Sequence, residues 1–298
     1  MRQEVRRASP LVRYGLELAL VGVAAVWGFT FTTVKEAVEP VPVFEFLALR
    51  FTLAAVVMTA IFWPQVRGLG RAGWKAGALT GGAVLAGYAC QTFGLQHTTA
   101  SNAGFVTGLF VVFAPVLSSV VLRRRPGAAV AAGVVLATGG LLLLSTKTGW
   151  HVRMGDAIVL GAAVAFAVQI VLLARFAPQH SPAGLATVQM WVTAVPSAAL
   201  SVTTEHLTAP TSSKVVWAVL ITGLFASAAA FLIQSSAQRY VSPSRTALIL
   251  VSEPVFAGLF GVVVLGEVLS GRQWTGAALI LAGMLVAELT PSRGDDPT

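Results

Sequence analysis

Two ionisable side chains, Arg50 and Glu253, stand well inside long apolar runs. Holding an ionised group near the centre of hydrocarbon costs about 2.5–3.5 kcal/mol on insertion scales, so each marks a place where chemistry is expected. At 1.5 Å of rise per helical residue, Glu253 lies about 12 Å into its run and Arg50 about 10 Å into its own. With the runs crossing in alternate directions, the two fall at neighbouring depths. A carboxylate there can take an amine or a proton, and a guanidinium can take a carboxylate. In the other reading the two pair with each other, or with backbone freed by Pro254, whose missing N–H strands the Leu250 carbonyl.

Polar and aromatic residues in neighbouring runs extend the set. Trp27 and Phe29 lie mid-run, away from the interface where tryptophan belts sit, and serve either as packing or as an aromatic wall for a substrate. Gln91 and Gln234 each begin a polar cluster, one continuing through His97, Ser101 and Asn102, the other through Ser235, Gln238, Ser244 and Arg245. These clusters are expected near opposite faces of a membrane, as the two mouths of a central cavity. Gln169, central in a further run, is either an interhelical hydrogen bond or part of the site. Trp74 and Trp217 open their runs and read as interface anchors. Gly104 with Gly108, and Gly258 with Gly261, have the spacing of close helix packing. The chain carries no P-loop, no His-Glu-x-x-His and no Gly-x-Ser-x-Gly. Its four histidines fall in or near loops, and its one cysteine, Cys90, excludes an internal disulfide, so neither a metal nor a cofactor is expected.

The elements that must position these residues follow from composition. The chain has 298 residues, 56% of them hydrophobic and 11% charged, with a mean hydropathy of +0.79. Soluble domains run at about 45–50% apolar and about 25% charged. The pattern is that of a multi-pass membrane protein, whose partner is the lipid bilayer and not nucleic acid despite a net charge of +8. Crossing hydrocarbon takes about 20 helical residues. Ten runs reach that length, near 16–35, 43–63, 72–94, 100–122, 127–146, 154–174, 183–203, 214–237, 245–266 and 270–289. Alternate loops hold 14 Lys or Arg on one side against 5 on the other, which puts both termini in the cytoplasm.

A shift of 143 positions lays residues 217–289 on 74–146 without a gap. Trp74 meets Trp217, Gln91 meets Gln234, Ser101 meets Ser244, and Gly133 and Gly140 meet Gly276 and Gly283. Five spans is an odd number, so the second half enters the membrane inverted, an arrangement found in transporters. The expected architecture is all-α, with ten transmembrane helices in two inverted five-helix repeats around a central cavity. The divisions are a cytoplasmic tail at 1–15, one repeat at 16–146, the second at 154–289 and a cytoplasmic tail at 290–298.

With this layout the chain resembles the drug/metabolite transporter superfamily, and within it the EamA-type exporters. The residues that carry the resemblance are Val26-Trp27-Gly28, Arg50, Thr99 to Ala103, Ser242 to Arg245, Ser252-Glu253-Pro254 and Gly266-Glu267. The first half departs from the pattern: Phe110 stands where Glu253 would recur, and Pro115 falls one turn late. The resemblance implies a plasma-membrane secondary transporter exporting an amino-acid-like or amphipathic small molecule. Trp27, Phe29, Arg50, Gln91, Asn102, Gln169 and Gln234 are the expected substrate contacts, and Glu253 is the expected coupling residue, with protons as its candidate ion. Import, or carriage of drugs or nucleotide sugars, is the alternative within transport. A lipid-modifying membrane enzyme is the rival class, and of the acid, base or metal-ligating groups it would need near one depth only Glu253 and Arg50 qualify, which argues against it.

Overall fold

A computed structural model describes residues 9–37, 41–98, 100–122, 126–145, 154–205, 212–265 and 268–289. Among these residues every regular element is helical and there is no strand. The first half contributes α1 (Pro10–Ala37), α2 (Val43–Arg67), α3 (Gly70–Gln96), α4 (Ala100–Gly108), α5 (Phe110–Val121) and α6 (Ala128–Ser145). The second contributes α7 (Met154–Phe176), α8 (Pro182–Leu200), α9 (Ser213–Ile221), α10 (Ala230–Ala237), α11 (Pro243–Leu250), α12 (Glu253–Leu265) and α13 (Gly271–Leu289). Two π-helical stretches, Ser201–Glu205 and Thr222–Ala229, continue α8 and join α9 to α10.

Local chemistry explains where several helices begin. Proline, with its fixed φ and missing N–H, suits the first helical position. It stands there in α8 and α11, each time behind a serine whose hydroxyl accepts from the backbone: Ser181 from Gly184 N at 3.3 Å and Ser242 from Arg245 N at 3.4 Å. The turn from α2 into α3 passes through Gly70 at φ 62°, a left-handed conformation that favours glycine.

Among the described residues five helices are long and apolar enough to cross a membrane: Leu11–Phe31, Val43–Arg67, Met154–Phe176, Pro182–Thr204 and Ser213–Ala237. Shorter apolar helices cover Val106–Val121 and Ala128–Leu143. The outer surface carries large side chains such as Leu18, Ile61, Val120, Val135, Val195 and Val263 in the open. So much exposed apolar surface suits contact with lipid and not with water.

The two halves interleave. Helix α3 packs on α7 and α8, α2 on α8, α1 on α12, α10 and α11, and α6 on α13. The α6–α13 contact joins the two copies of the repeat glycines. A Cβ on Gly133 would meet the Gly283 carbonyl at 2.6 Å, and one on Gly140 the Gly276 carbonyl at 2.5 Å. The expected Gly258–Gly261 contact is looser, since a Cβ on Gly258 would meet nothing nearer than Leu269 at 3.5 Å.

Both halves also break a helix at the matching place. Helix α4 gives way to α5 at Leu109, and α11 gives way to α12 across Val251 and Ser252; the 143-residue shift carries 109 onto 252. In the second half Pro254 is the second residue of the new helix. In the first half no proline is near enough to force the break, so its position belongs to the architecture. Phe110 and Glu253 are thereby the first residues of their half-helices.

Candidate functional site

A central cavity of about 640 Å³, counting the part continuous with solvent, opens between α1, α2, α3, the α4–α5 break, α7, α10 and the α11–α12 break. Both halves of the chain line it. Its polar groups include Arg50, Tyr88, Gln91, Gln169, Gln234 and Glu253. Between them stand the rings of Trp27, Phe31, Phe110, Phe166 and Phe231. The rings are mutually braced: Trp27 tilts on Phe231 at 5.8 Å, and Tyr88 meets Phe166 edge-on at 5.2 Å.

Arg50 and Glu253 face this cavity without pairing, which corrects the reading in which each neutralises the other. Arg50 is 3% exposed. Its Nε donates to Ser227 Oγ at 2.7 Å, and Nη2 donates to the Tyr88 hydroxyl at 3.3 Å and the Ala226 carbonyl at 3.5 Å. The guanidinium also lies over the Tyr88 ring, 4.6 Å from its centroid, a cation–π contact. Among the described residues no carboxylate comes within ion-pair distance of it.

Glu253 is 6% exposed and has no hydrogen-bond or ion-pair partner among the described residues. Its place at the start of α12 puts the carboxyl at the positive end of a half-helix, which favours negative charge there. Helix α1 presses directly on this point, because Gly28 lets its backbone approach the Glu253 carbonyl and the Ala257 N.

The glutamines are brought together more closely than their positions in the chain suggest. Gln234 Nε2 donates to Gln169 Oε1 at 3.1 Å, and Gln169 Nε2 donates to Gln234 Oε1 at 3.4 Å and to Gln189 Oε1 at 3.1 Å. Gln189 Nε2 in turn reaches Ser235 Oγ at 3.5 Å. Gln91 Nε2 donates to Thr107 Oγ1 at 3.2 Å. Gln91 and Gln234, expected at the two mouths of a central cavity, both line this one.

Phe29, expected beside Trp27 on the substrate wall, is set apart from the cavity. It is 36% exposed and stacks edge-on against Phe260 at 5.3 Å. Two residues along a helix turn a side chain by about 200°, so Trp27 and Phe29 cannot share a face. Trp27 does line the cavity, and its Nε1 donates to the Ala226 carbonyl at 2.8 Å. Asn102 falls in α4, but its side chain lies outside the described residues.

At the end of the bundle where α1 begins, polar layers lie beyond the cavity. Below the Gln169–Gln234 pair, Gln238 Nε2 donates to the Ile170 carbonyl at 2.8 Å. Beyond that sits a charge cluster in which Glu17 and Arg245 are buried. Glu17 Oε1 is 3.1 Å from Arg13 Nε and 3.8 Å from Arg245 Nε, and Arg245 Nη2 donates to the Ala287 carbonyl at 3.1 Å. Glu17, Glu45, Asp156 and Arg245 are all buried, so Arg50 and Glu253 are not the only charged groups taken from solvent. At the opposite end Thr98 donates to Asp156 at 2.6 Å.

Sequence reasoning missed Tyr88, Gln189, Ser227 and Glu17. Tyr88 and Gln189 carried a usable signal, a polar group central in an apolar run. Ser227 and Glu17 carried none, because a serine is common in such runs and Glu17 sits among interfacial charges.

The comparisons agree with this architecture. A profile described as the EamA-like transporter family matches residues 15–146 and again 153–288. A protein of Archaeoglobus fulgidus named an uncharacterized transporter is 36% identical over 283 residues, covering 95% of this chain and 88% of its own length. Uncharacterized transporter YwfM of Bacillus subtilis is 27% identical, covering 91% of this chain and 92% of itself. A crystal structure of 22% sequence identity superposes with a TM-score of 0.77 over 92% of this chain and 96% of its own, a likeness of fold. With the family profile matched in each half of the chain and a transporter 36% identical across nearly its whole length, this protein belongs to the EamA-like transporter family.

Proposed function

We propose that this chain is a secondary transporter that exports a small amino-acid-like or amphipathic metabolite across the plasma membrane by alternating access. Ten spans form two inverted repeats, occupying 16–146 and 154–289, with both termini in the cytoplasm. The observation that carries this reading is the pair Arg50 and Glu253, buried, facing one aromatic-lined cavity and not neutralising each other. A buried charge left without a counter-ion is costly, and a substrate with complementary charge removes that cost on binding. Gln91, Gln169, Gln234 and Trp27 shape the same cavity. Phe29 has no part in it.

Alternating access is supported by the placement of the polar layers. The cavity lies toward the end where α1 finishes, while Gln238 and the Arg13–Glu17–Arg245 cluster occupy the end where α1 starts. The charge asymmetry assigns that second end to the cytoplasm, so the arrangement corresponds to a carrier closed inward. In export, Glu253 exchanges a proton for the basic group of the substrate, since both compete for one carboxyl.

A metabolite comparison tests the reading. Medium from cells overproducing the protein is compared with medium from cells producing Glu253→Gln at equal membrane abundance and from empty cells. Greater accumulation of a small zwitterionic or amphipathic compound with the unaltered protein than with Glu253→Gln or with empty cells is the expected result. Identical media from all three strains would refute export.

A further inference from the structure

The π-helical stretch Thr222–Ala229 is an irregularity beside the cavity that the repeat does not share. Its counterpart under the 143-residue shift, residues 79–86, is an uninterrupted part of α3. Among the described residues, every hydrogen-bond acceptor of Arg50 apart from Tyr88 comes from this stretch. Ser227 takes Nε, and the Ala226 carbonyl takes Nη2. The serine, too, is peculiar to the second half, since the matching residue is Val84. A π turn widens the helix and exposes backbone carbonyls that a regular helix keeps for itself. Here the Ala226 carbonyl accepts from both Trp27 and Arg50. The stretch is pressed against α2 at the right point: a Cβ on Gly223 would stand 3.0 Å from the Arg50 carbonyl.

A guanidinium has five N–H donors in a rigid fork. The contacts to Ser227, Tyr88 and Ala226 occupy Nε and Nη2, and Nη1 donates to no group among the described residues. Because three partners fix the plane of the fork, the direction of Nη1 is fixed as well.

We propose that Ser227, presented by the π-helical stretch, is the positioning residue that aims the Nη1 edge of Arg50 into the cavity as the receptor for a substrate carboxylate. The proposal rests on reading the cavity as the substrate site. A singly charged carboxylate fits better than a phosphate dianion, because the cavity offers one cation and also contains the Glu253 carboxyl. Ser227 touches no substrate. Without its hydroxyl, Nε turns toward the cavity in search of an acceptor and the fork loses its orientation.

The test uses the full-length protein in detergent and acid–amide pairs as probes: benzoate against benzamide, and leucine against leucinamide, with binding measured by titration calorimetry. The unaltered protein should prefer the acid of at least one pair. Losing a hydrogen bond to a charged group is expected to reduce that preference about ten-fold or more in Ser227→Ala, while Ser227→Thr, which keeps the hydroxyl, restores it. Gly223→Ala, which pushes the stretch off α2, should reduce it too. A merely structural serine would alter thermal stability and leave the acid-to-amide ratio untouched, and that result overturns the positioning role. An unaltered protein that fails to prefer the acid of either pair overturns the carboxylate assignment. Both outcomes leave the metabolite comparison for export standing, so the two failures are told apart.

Discussion

Gly28 supplies a test of how closely α1 meets the half-helix that carries Glu253. An alanine Cβ at this position would lie 2.6 Å from the Glu253 carbonyl oxygen, 2.8 Å from Ala257 N and 2.9 Å from Phe256 Cβ. Two of the three are backbone atoms, which cannot rotate aside. The helices must separate by roughly the difference between 2.6 Å and the 3.4 Å of ordinary contact. Overpacking of this kind costs about 1–3 kcal/mol, and replacing a helical glycine by alanine returns about 0.5–1 kcal/mol. Gly28→Ala should therefore be destabilised by up to about 2.5 kcal/mol. Gly22, on the same helix with nothing within 4 Å of a Cβ, is the control. Gly22→Ala should gain about 0.5–1 kcal/mol from helix propensity alone. Export should fall more than stability does, because moving a reacting group by 1 Å can cost about 100-fold. Thermal unfolding of the purified variants in detergent, paired with efflux at matched membrane abundance, reads both effects. If Gly28→Ala is stabilised as much as Gly22→Ala and exports normally, the close approach of α1 to Glu253 is wrong.

The remaining predictions concern the same cavity and its closed end. Gln169→Leu and Gln234→Leu should each destabilise by about 1–3 kcal/mol, because each strands its partner's buried amide, and the double variant should cost clearly less than the two together; simple additivity in the unfolding measurements would argue against their mutual bond. In a Cys90→Ala background, Ser235→Cys should be labelled by a membrane-impermeant maleimide from the cytoplasmic side several-fold faster once Glu17→Gln is added, since removing the anion between Arg13 and Arg245 loosens that end; an unchanged rate would mean the cluster does not close the path. Export should vary with external pH in the parent and not in Glu253→Gln, whose amide cannot titrate; pH-independent export by both would make the protein a facilitator following its substrate gradient. Reporter fusions at residues 1 and 298 should both report the cytoplasm; a periplasmic signal from only one of them would contradict an even number of spans, and from both would invert the orientation.

What the sequence determined by itself is what depends on composition and on position along the chain. The apolar runs announced membrane helices because a single run of about 20 residues crossing hydrocarbon satisfies its backbone hydrogen bonds within itself only as a helix. The 143-residue offset announced the repeat, since tryptophan, glutamine and glycine at one fixed spacing are rarely coincidence. Arg50 and Glu253 were conspicuous from cost alone, being charges in apolar surroundings. The rest depended on how helices rotate, tilt and break. A helix turns about 100° per residue, so a small error in rotation moves a side chain from cavity to lipid, as it did for Phe29. The partners of Arg50 lie 38 and 177 residues away in the chain, and no local pattern connects Ser227 or the π-helical stretch to it. The break at Leu109, which occurs without a proline, likewise follows from the packing of neighbouring helices. Glu17 and Arg245 read as interfacial charges because the linear order of residues places them near span ends. Only the packing of α1 against α11 shows that they are buried against each other, and the strength of a charge pair depends on that burial.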